Sequence, residues 1–165
     1  MKESYVNAFL VPVNTVCEEV FETPVKRAET EIDVFDTTAY DVTMVTHVTG
    51  GVEGTVVYGF DTDAAHALVR RLVRADHGGG APGDVYDRQL IESAMTRLSN
   101  NIAGLVVFRL REAGYRCEIK PHSVVIGKGA VLDHGVGRQL RVGFRSSNGN
   151  FDVRLRLSET AVVTG

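Results

Sequence analysis

The sequence feature that most constrains the fold is a pair of β-branched segments joined by two glycines. Valine and threonine are frequent over residues 38–49, and after Gly50 and Gly51 the pattern resumes over residues 52–60. β-Branched runs that are separated by a Gly-Gly pair are typical of the two strands of a hairpin. The chain is therefore expected to contain antiparallel sheet, which other segments must cover.

Two segments on either side of this hairpin have the three- and four-residue apolar spacing of helices. The first covers residues 5–21 and contains Pro12, which predicts that the helix begins near the proline or bends there. The second follows the hairpin directly, and Asp61 and Thr62 offer capping side chains at its start.

A third helix is predicted over residues 84–112, after a glycine-rich stretch at 77–83 that we interpret as a linker. Gly114 suits the left-handed position that follows a helix. The remaining chain alternates in the manner of three strands, over residues 115–126, 139–144 and 151–157. This order of elements predicts an α+β fold in which helices pack against a largely antiparallel sheet.

Composition narrows the class of protein further. The chain has 165 residues, 44% of them hydrophobic, which predicts a single globular domain over residues 1–165. A formal net charge of −3 argues against nucleic-acid binding, and the lack of apolar runs of about 20 residues argues against a membrane span. We expect a cytoplasmic protein whose two cysteines, Cys17 and Cys117, are reduced core thiols.

The third helix has two distinct sides. At about 100° per residue, one arc predicted to face the core contains five apolar residues: Leu90, Ala94, Leu98, Ile102 and Leu105. Nearly opposite lie Ser93, Arg97, Asn100 and Gly104, here called the polar ridge. The ridge could present a hydroxyl, a guanidinium and a carboxamide together to a partner or substrate, although a solvated face with no task fits the spacing as well.

Residues 93–104, Ser-Ala-Met-Thr-Arg-Leu-Ser-Asn-Asn-Ile-Ala-Gly, resemble the signature helix of the CheX/CheC family of bacterial chemotaxis phosphatases. In that family an acidic residue or Ser is followed after three residues by Glu and after two more by Asn. The resemblance covers roughly residues 4–158 and includes the opening Tyr-Val-Asn-Ala-Phe and the segment over 121–129. It implies a CheC-like fold, closest to CheX-like members that keep one site.

The resemblance also implies a function. Family members are thought to dephosphorylate the aspartyl phosphate of CheY-type response regulators, whose own site supplies the magnesium, so no cofactor of the chain's own is expected. The family's Asn orients the attacking water, and its Glu holds a Lys of the regulator. Ser93 matches the first motif position and Asn100 matches the water-orienting amide. CheX-like proteins can form dimers, so a homodimer is a further expectation.

The motif departs from the family at Arg97, which stands where the pattern has Glu. As part of an active site, Arg97 could pair with an acidic group of a regulator or clamp the phosphoryl oxygens. As a sign of degeneration, it would leave a module that binds regulators without turnover, or a dimeric scaffold. A role unrelated to response regulators stays open. Glu92 lies about 140° around the helix and cannot replace the missing anion, whereas Asn101 could supply the amide only with a shift of register.

Overall fold

The computed structural model describes residues 1–34, 37–73, 88–132 and 137–160. Its elements are α1 (Glu3–Phe21), β1 (Lys26–Asp33), β2 (Val42–Gly50), β3 (Val52–Phe60), α2 (Thr62–Leu72), α3 (Arg88–Glu112), β4 (Cys117–Ile126), β5 (Gln139–Ser146) and β6 (Gly149–Glu159). The predicted linker and the first four residues of the predicted third helix lie outside the described residues.

The strands form one six-stranded sheet in the order β1-β5-β6-β3-β2-β4, and every pair in it is antiparallel. The predicted α+β class and the hairpin are confirmed, with Val48 opposite Gly54 near the turn. Gly50 has φ +116°, and an added Cβ there would lie 2.2 Å from the carbonyl oxygen of Arg116. Glycine is therefore required at this turn for both conformation and space.

β1 has no counterpart among the strands predicted from the sequence. Its residues are almost all exposed, and their charged sequence Lys-Arg-Ala-Glu-Thr-Glu-Ile-Asp has no apolar alternation. The strand forms because it pairs with β5, where exposed ion pairs link Arg145 to Glu29 and Arg141 to Glu31. A polar edge strand of this kind gives no hydrophobic signal from which it could be predicted.

The helix ends follow local rules. The side chain of Asp61 accepts a hydrogen bond of 2.8 Å from the amide of Ala64, which confirms the predicted cap of α2. After α3, the amide of Tyr115 donates to the carbonyl of Leu110, and Gly114 has φ +96°. This Schellman motif confirms the predicted end of the third helix. α1 begins at Glu3, so Pro12 lies inside the helix rather than near its start.

The main core lies between the three helices and one face of the sheet. Four phenylalanines pack together there, with Phe144 and Phe151 stacked at a centroid distance of 4.9 Å. Cys17 is in this core as predicted, and burial raises the pKa of its thiol. Cys117 is also a free thiol and packs against this core, but it is only half-buried, with its sulfur 3.3 Å from the amide of Val52.

The opposite face of the sheet, which no described helix covers, has a small apolar cluster of Val45, Val57 and Leu132 and, beside it, a charged network. Asp152 is buried, and its carboxylate lies 2.6 Å from the guanidinium of Arg141 and 3.7 Å from that of Arg154. Arg141 also contacts Glu31 at 2.8 Å, and Arg154 donates to the carbonyl of Thr37 at 2.9 Å. The three charged side chains of this network thus have partners within the fold, whereas the buried hydroxyls of Thr43 and Thr55 on the same face have none among the described residues.

Candidate functional site

α3 places the polar ridge on the outside of the molecule. The buried face of the helix consists of Ile91, Ala94, Met95, Leu98, Ser99, Ile102, Val106 and Leu110. Three of the five predicted core positions, Ala94, Leu98 and Ile102, are therefore confirmed, and Leu90 is half-buried against the core. Leu105 is 42% exposed, so its predicted place in the core is wrong. At 100° per residue, the buried residues centre on Ile91, Ile102 and Met95, which leaves Leu105 at the margin of the buried face.

Ser93, Arg97, Asn100 and Gly104 are all exposed, as the helical wheel predicted. Within the described part of the chain, the side chains of Ser93 and Asn100 have no hydrogen bond. They lie seven residues apart, which separates them by about 10 Å along the helix. The hydroxyl and the carboxamide thus lie on one accessible edge with their hydrogen-bonding capacity unused inside the described fold.

Arg97 behaves differently from its neighbours on the ridge. Its guanidinium donates a hydrogen bond to the carbonyl oxygen of Leu72, the last residue of α2. A cation at the C-terminal end of a helix is favoured because the terminal carbonyls carry partial negative charge. Arg97 therefore has a structural partner, which the sequence pattern of α3 alone could not indicate.

Glu92 and Asn101 lie on either side of the polar ridge. Glu92 pairs with Arg88 at 2.9 Å on one flank of α3. Asn101 is exposed on the other flank and lines a cleft with Glu19 of α1 and Arg71 of α2. In this arrangement neither side chain lies on the line through Ser93 and Asn100.

One exposed residue of α3 was not singled out in the sequence. Phe108 is 60% exposed and follows Gly104 by four residues on the same helix. Its place on the helix could have been predicted from the sequence. Four residues advance a helix by slightly more than one turn, so Phe108 lies close to the line of the polar ridge.

In residues 1–34, 37–73, 88–132 and 137–160, no group of three or more His, Cys, Asp and Glu residues could hold a metal ion. Across the same residues, no helix is long and apolar enough to cross a membrane.

Comparison with known proteins relates this arrangement to one group. No family model matches the chain. The CheY-P phosphatase CheX of Thermotoga maritima is 29% identical over 117 residues, which cover 70% of this chain and 71% of that protein. This alignment extends well beyond a single motif.

Solved structures share the fold across nearly the whole chain. The crystal structure of a chemotaxis protein CheX from Desulfovibrio desulfuricans has a TM-score of 0.76 at 20% identity and covers 94% of this chain and 99% of its own. A chain of the CheX-CheY-BeF3-Mg+2 complex from Borrelia burgdorferi has a TM-score of 0.72 at 20% identity, and the match covers 96% of this chain and 100% of that chain. These comparisons show that the chain is similar in sequence to a CheX phosphatase and that it has the fold of CheX structures.

Proposed function

We propose that the chain engages phosphorylated CheY-type receiver domains through the polar ridge of α3. The observation that carries this proposal is the exposure of Ser93 and Asn100 on one helix edge, without side-chain hydrogen bonds to the described part of the fold. Polar groups that stabilise nothing internally keep their donors and acceptors for a partner. Similarity to the CheY-P phosphatase of Thermotoga maritima supports a receiver as that partner.

The chemistry of such a contact is hydrolysis of an aspartyl phosphate. The carboxamide of Asn100 would orient a water whose oxygen attacks phosphorus, while the bond from phosphorus to the aspartate oxygen breaks and inorganic phosphate leaves. Ser93, two turns away, would contact the receiver beside the phosphorylation site. Magnesium held by the receiver would neutralise phosphoryl charge, so the chain contributes positioning rather than a metal.

A second candidate, binding without turnover, is favoured by the contact of Arg97. The family motif has an anion at this position to hold a lysine of the regulator, whereas here a guanidinium is bound to the end of α2. Two cations brought together at a desolvated interface repel by several kcal/mol. Receiver binding would then depend on Ser93 and Asn100, and the phosphoryl group would persist.

Phosphate release from purified, phosphorylated CheY-type receivers with magnesium separates these two candidates. If the chain is a phosphatase, it accelerates release above the receiver's own rate, and Asn100→Ala lowers the acceleration about 100-fold, the usual effect of removing one catalytic hydrogen-bonding group. Asn101→Ala is the matched control, because it removes the same side chain one position away. We expect Asn101→Ala to keep the activity of the unaltered chain.

Other outcomes are equally informative. Phosphorylation-dependent binding without acceleration would identify a docking module, in which Arg97→Glu restores the motif anion and is the variant to test for gained turnover. Absence of both binding and acceleration with every cognate receiver would contradict the proposed function.

A homodimer and a cytoplasmic location complete the proposal. The edge strand β4 offers backbone groups with which a second copy could pair. Light scattering tests the dimer directly, and a strictly monomeric species at all concentrations would exclude it.

A further inference from the structure

We infer that the receiver-binding surface continues along α3 beyond Asn100, across a bare stretch of helix at Gly104, to an apolar anchor at Phe108. The inference rests on the proposed function, because the same receiver domain is the occupant. It adds a second part to the interface, one that confers affinity rather than chemistry.

Gly104 is the first observation. Glycine is among the least favourable residues in a helix interior, so an internal glycine usually has a packing reason. Gly54, a glycine of strand β3, shows what a packing reason looks like: an added Cβ there would lie 1.9 Å from the carbonyl oxygen of Arg156. At Gly104 an added Cβ would meet nothing within 4 Å. The fold therefore does not require the missing side chain, whereas a partner whose backbone approaches α3 closely does.

Phe108 is the second observation. The positions 93, 97, 100, 104 and 108 follow at steps of four, three, four and four residues, which keeps them within an arc of about 80° on the helix. Phe108 thus lies about 12 Å along α3 from Asn100 and has 60% of its surface exposed. An exposed aromatic ring beside a binding site is the type of residue that dominates interface affinity.

Charge favours a receiver over a second copy of the chain as the occupant. Arg109 and Arg111 flank Phe108, and both are exposed without an ion pair to any described residue. A symmetric contact between two copies centred on Phe108 would bring these cations close to their equivalents. A receiver, whose phosphorylation site is acidic, meets no such repulsion, and it already contacts the adjoining ridge in the proposed complex.

The test measures affinity for a purified CheY-type receiver loaded with beryllofluoride and magnesium, a mimic of the phosphorylated state. Gly104→Gln fills the bare stretch with a good helix former, so we expect at least a tenfold loss of affinity with an unchanged or higher unfolding temperature. Phe108→Ser should also weaken binding at least tenfold. Arg88→Gln, which introduces the same glutamine at an exposed position about 24 Å along α3 and about 160° around it from Gly104, should bind as the unaltered chain does.

Three results would overturn the inference. Affinity of Gly104→Gln and Phe108→Ser within twofold of the unaltered chain would limit the receiver contact to the polar ridge and leave the proposed function intact. A shift from dimer to monomer in light scattering on Phe108→Ser, with receiver affinity retained, would make a second copy the occupant. Failure of the unaltered chain to bind any receiver would contradict the proposed function itself.

Discussion

The polar ridge of α3 and the helix-free face of the sheet are both rich in polar residues. They differ in whether the partners of those residues lie inside the described fold. On the sheet, Asp152, Arg141 and Arg154 contact one another or the backbone. On the ridge, Ser93 and Asn100 have no side-chain hydrogen bond within the described residues. The difference teaches that polarity alone does not identify a functional surface. Groups whose partners lie inside the fold contribute to stability, and groups without such partners are available for recognition.

Arg97 is the instructive intermediate case. Its spacing along α3 puts it on the polar ridge. Its guanidinium nevertheless donates to the carbonyl of Leu72, so it has a partner inside the fold, as the charged residues of the sheet do. Its position would otherwise suggest a catalytic cation. The hydrogen bond therefore shifts the interpretation of the site toward Asn100 as the group that a receiver would meet.

The largest effect on stability is expected for Asp152→Ala. Removal of the buried carboxylate leaves Arg141 and Arg154 without their shared anion, which should lower the free energy of unfolding by about 3–5 kcal/mol. Denaturant titration measures this loss. Glu31→Ala is the matched control, because Glu31 contacts the same Arg141 at 2.8 Å but is exposed, and its removal should cost at most about 1 kcal/mol. Equal losses for the two variants would remove the distinction between buried and exposed partners.

A smaller loss is expected for Arg97→Glu. The substitution places an anion beside the terminal carbonyls of α2, which should lower the free energy of unfolding by about 0.5–1 kcal/mol. Arg97→Lys keeps the cation and should retain most of the stability. If Arg97→Glu is as stable as the unaltered chain, the contact with Leu72 contributes nothing to the free energy of unfolding. The guanidinium of Arg97 would then be available to a partner, like the side chains of Ser93 and Asn100.

Glu159 is an exposed residue whose carboxylate does have partners inside the fold, so its contribution to stability should depend on pH. Hydrogen bonds from Tyr115 and then from Lys2 lower the pKa of its carboxyl below the ordinary 4.5. A carboxyl whose pKa is lowered by folding adds stability above its unfolded pKa, and this stability is lost as the pH falls through the folded pKa. The unaltered chain should therefore exceed Glu159→Gln in stability at neutral pH, and the difference should vanish in acid. An NMR titration in which Tyr115→Phe leaves the pKa of Glu159 unchanged would contradict this cause.

The smallest effect is expected on the ridge itself. Ser93→Ala and Asn100→Ala remove exposed groups without described internal partners, so each should change the free energy of unfolding by no more than about 0.5 kcal/mol. Thermal unfolding of the two variants checks this expectation. A loss above 1 kcal/mol in either would show that the ridge is structural, and the contrast with the sheet would fail.

Much of the fold could be predicted because local rules decide it. The Gly50-Gly51 turn, the Asp61 cap and the glycine after α3 each act over a few residues, and all three lie where they were expected. β1 could not be predicted, because its stability comes from pairing with β5, more than 100 residues later in the chain, and its sequence has no buried alternation.

The amino-acid pattern of α3 was sufficient to put Ser93, Arg97, Asn100 and Gly104 on one exposed edge, since helical periodicity alone orders side chains around an axis. Tertiary packing decided what that edge can offer. The end of α2 lies beside α3 and binds Arg97, and the direction of the buried face leaves Leu105 and Phe108 exposed. A helical period relates residues within one element, whereas contacts between elements depend on how the helices pack on the sheet, which no local pattern encodes.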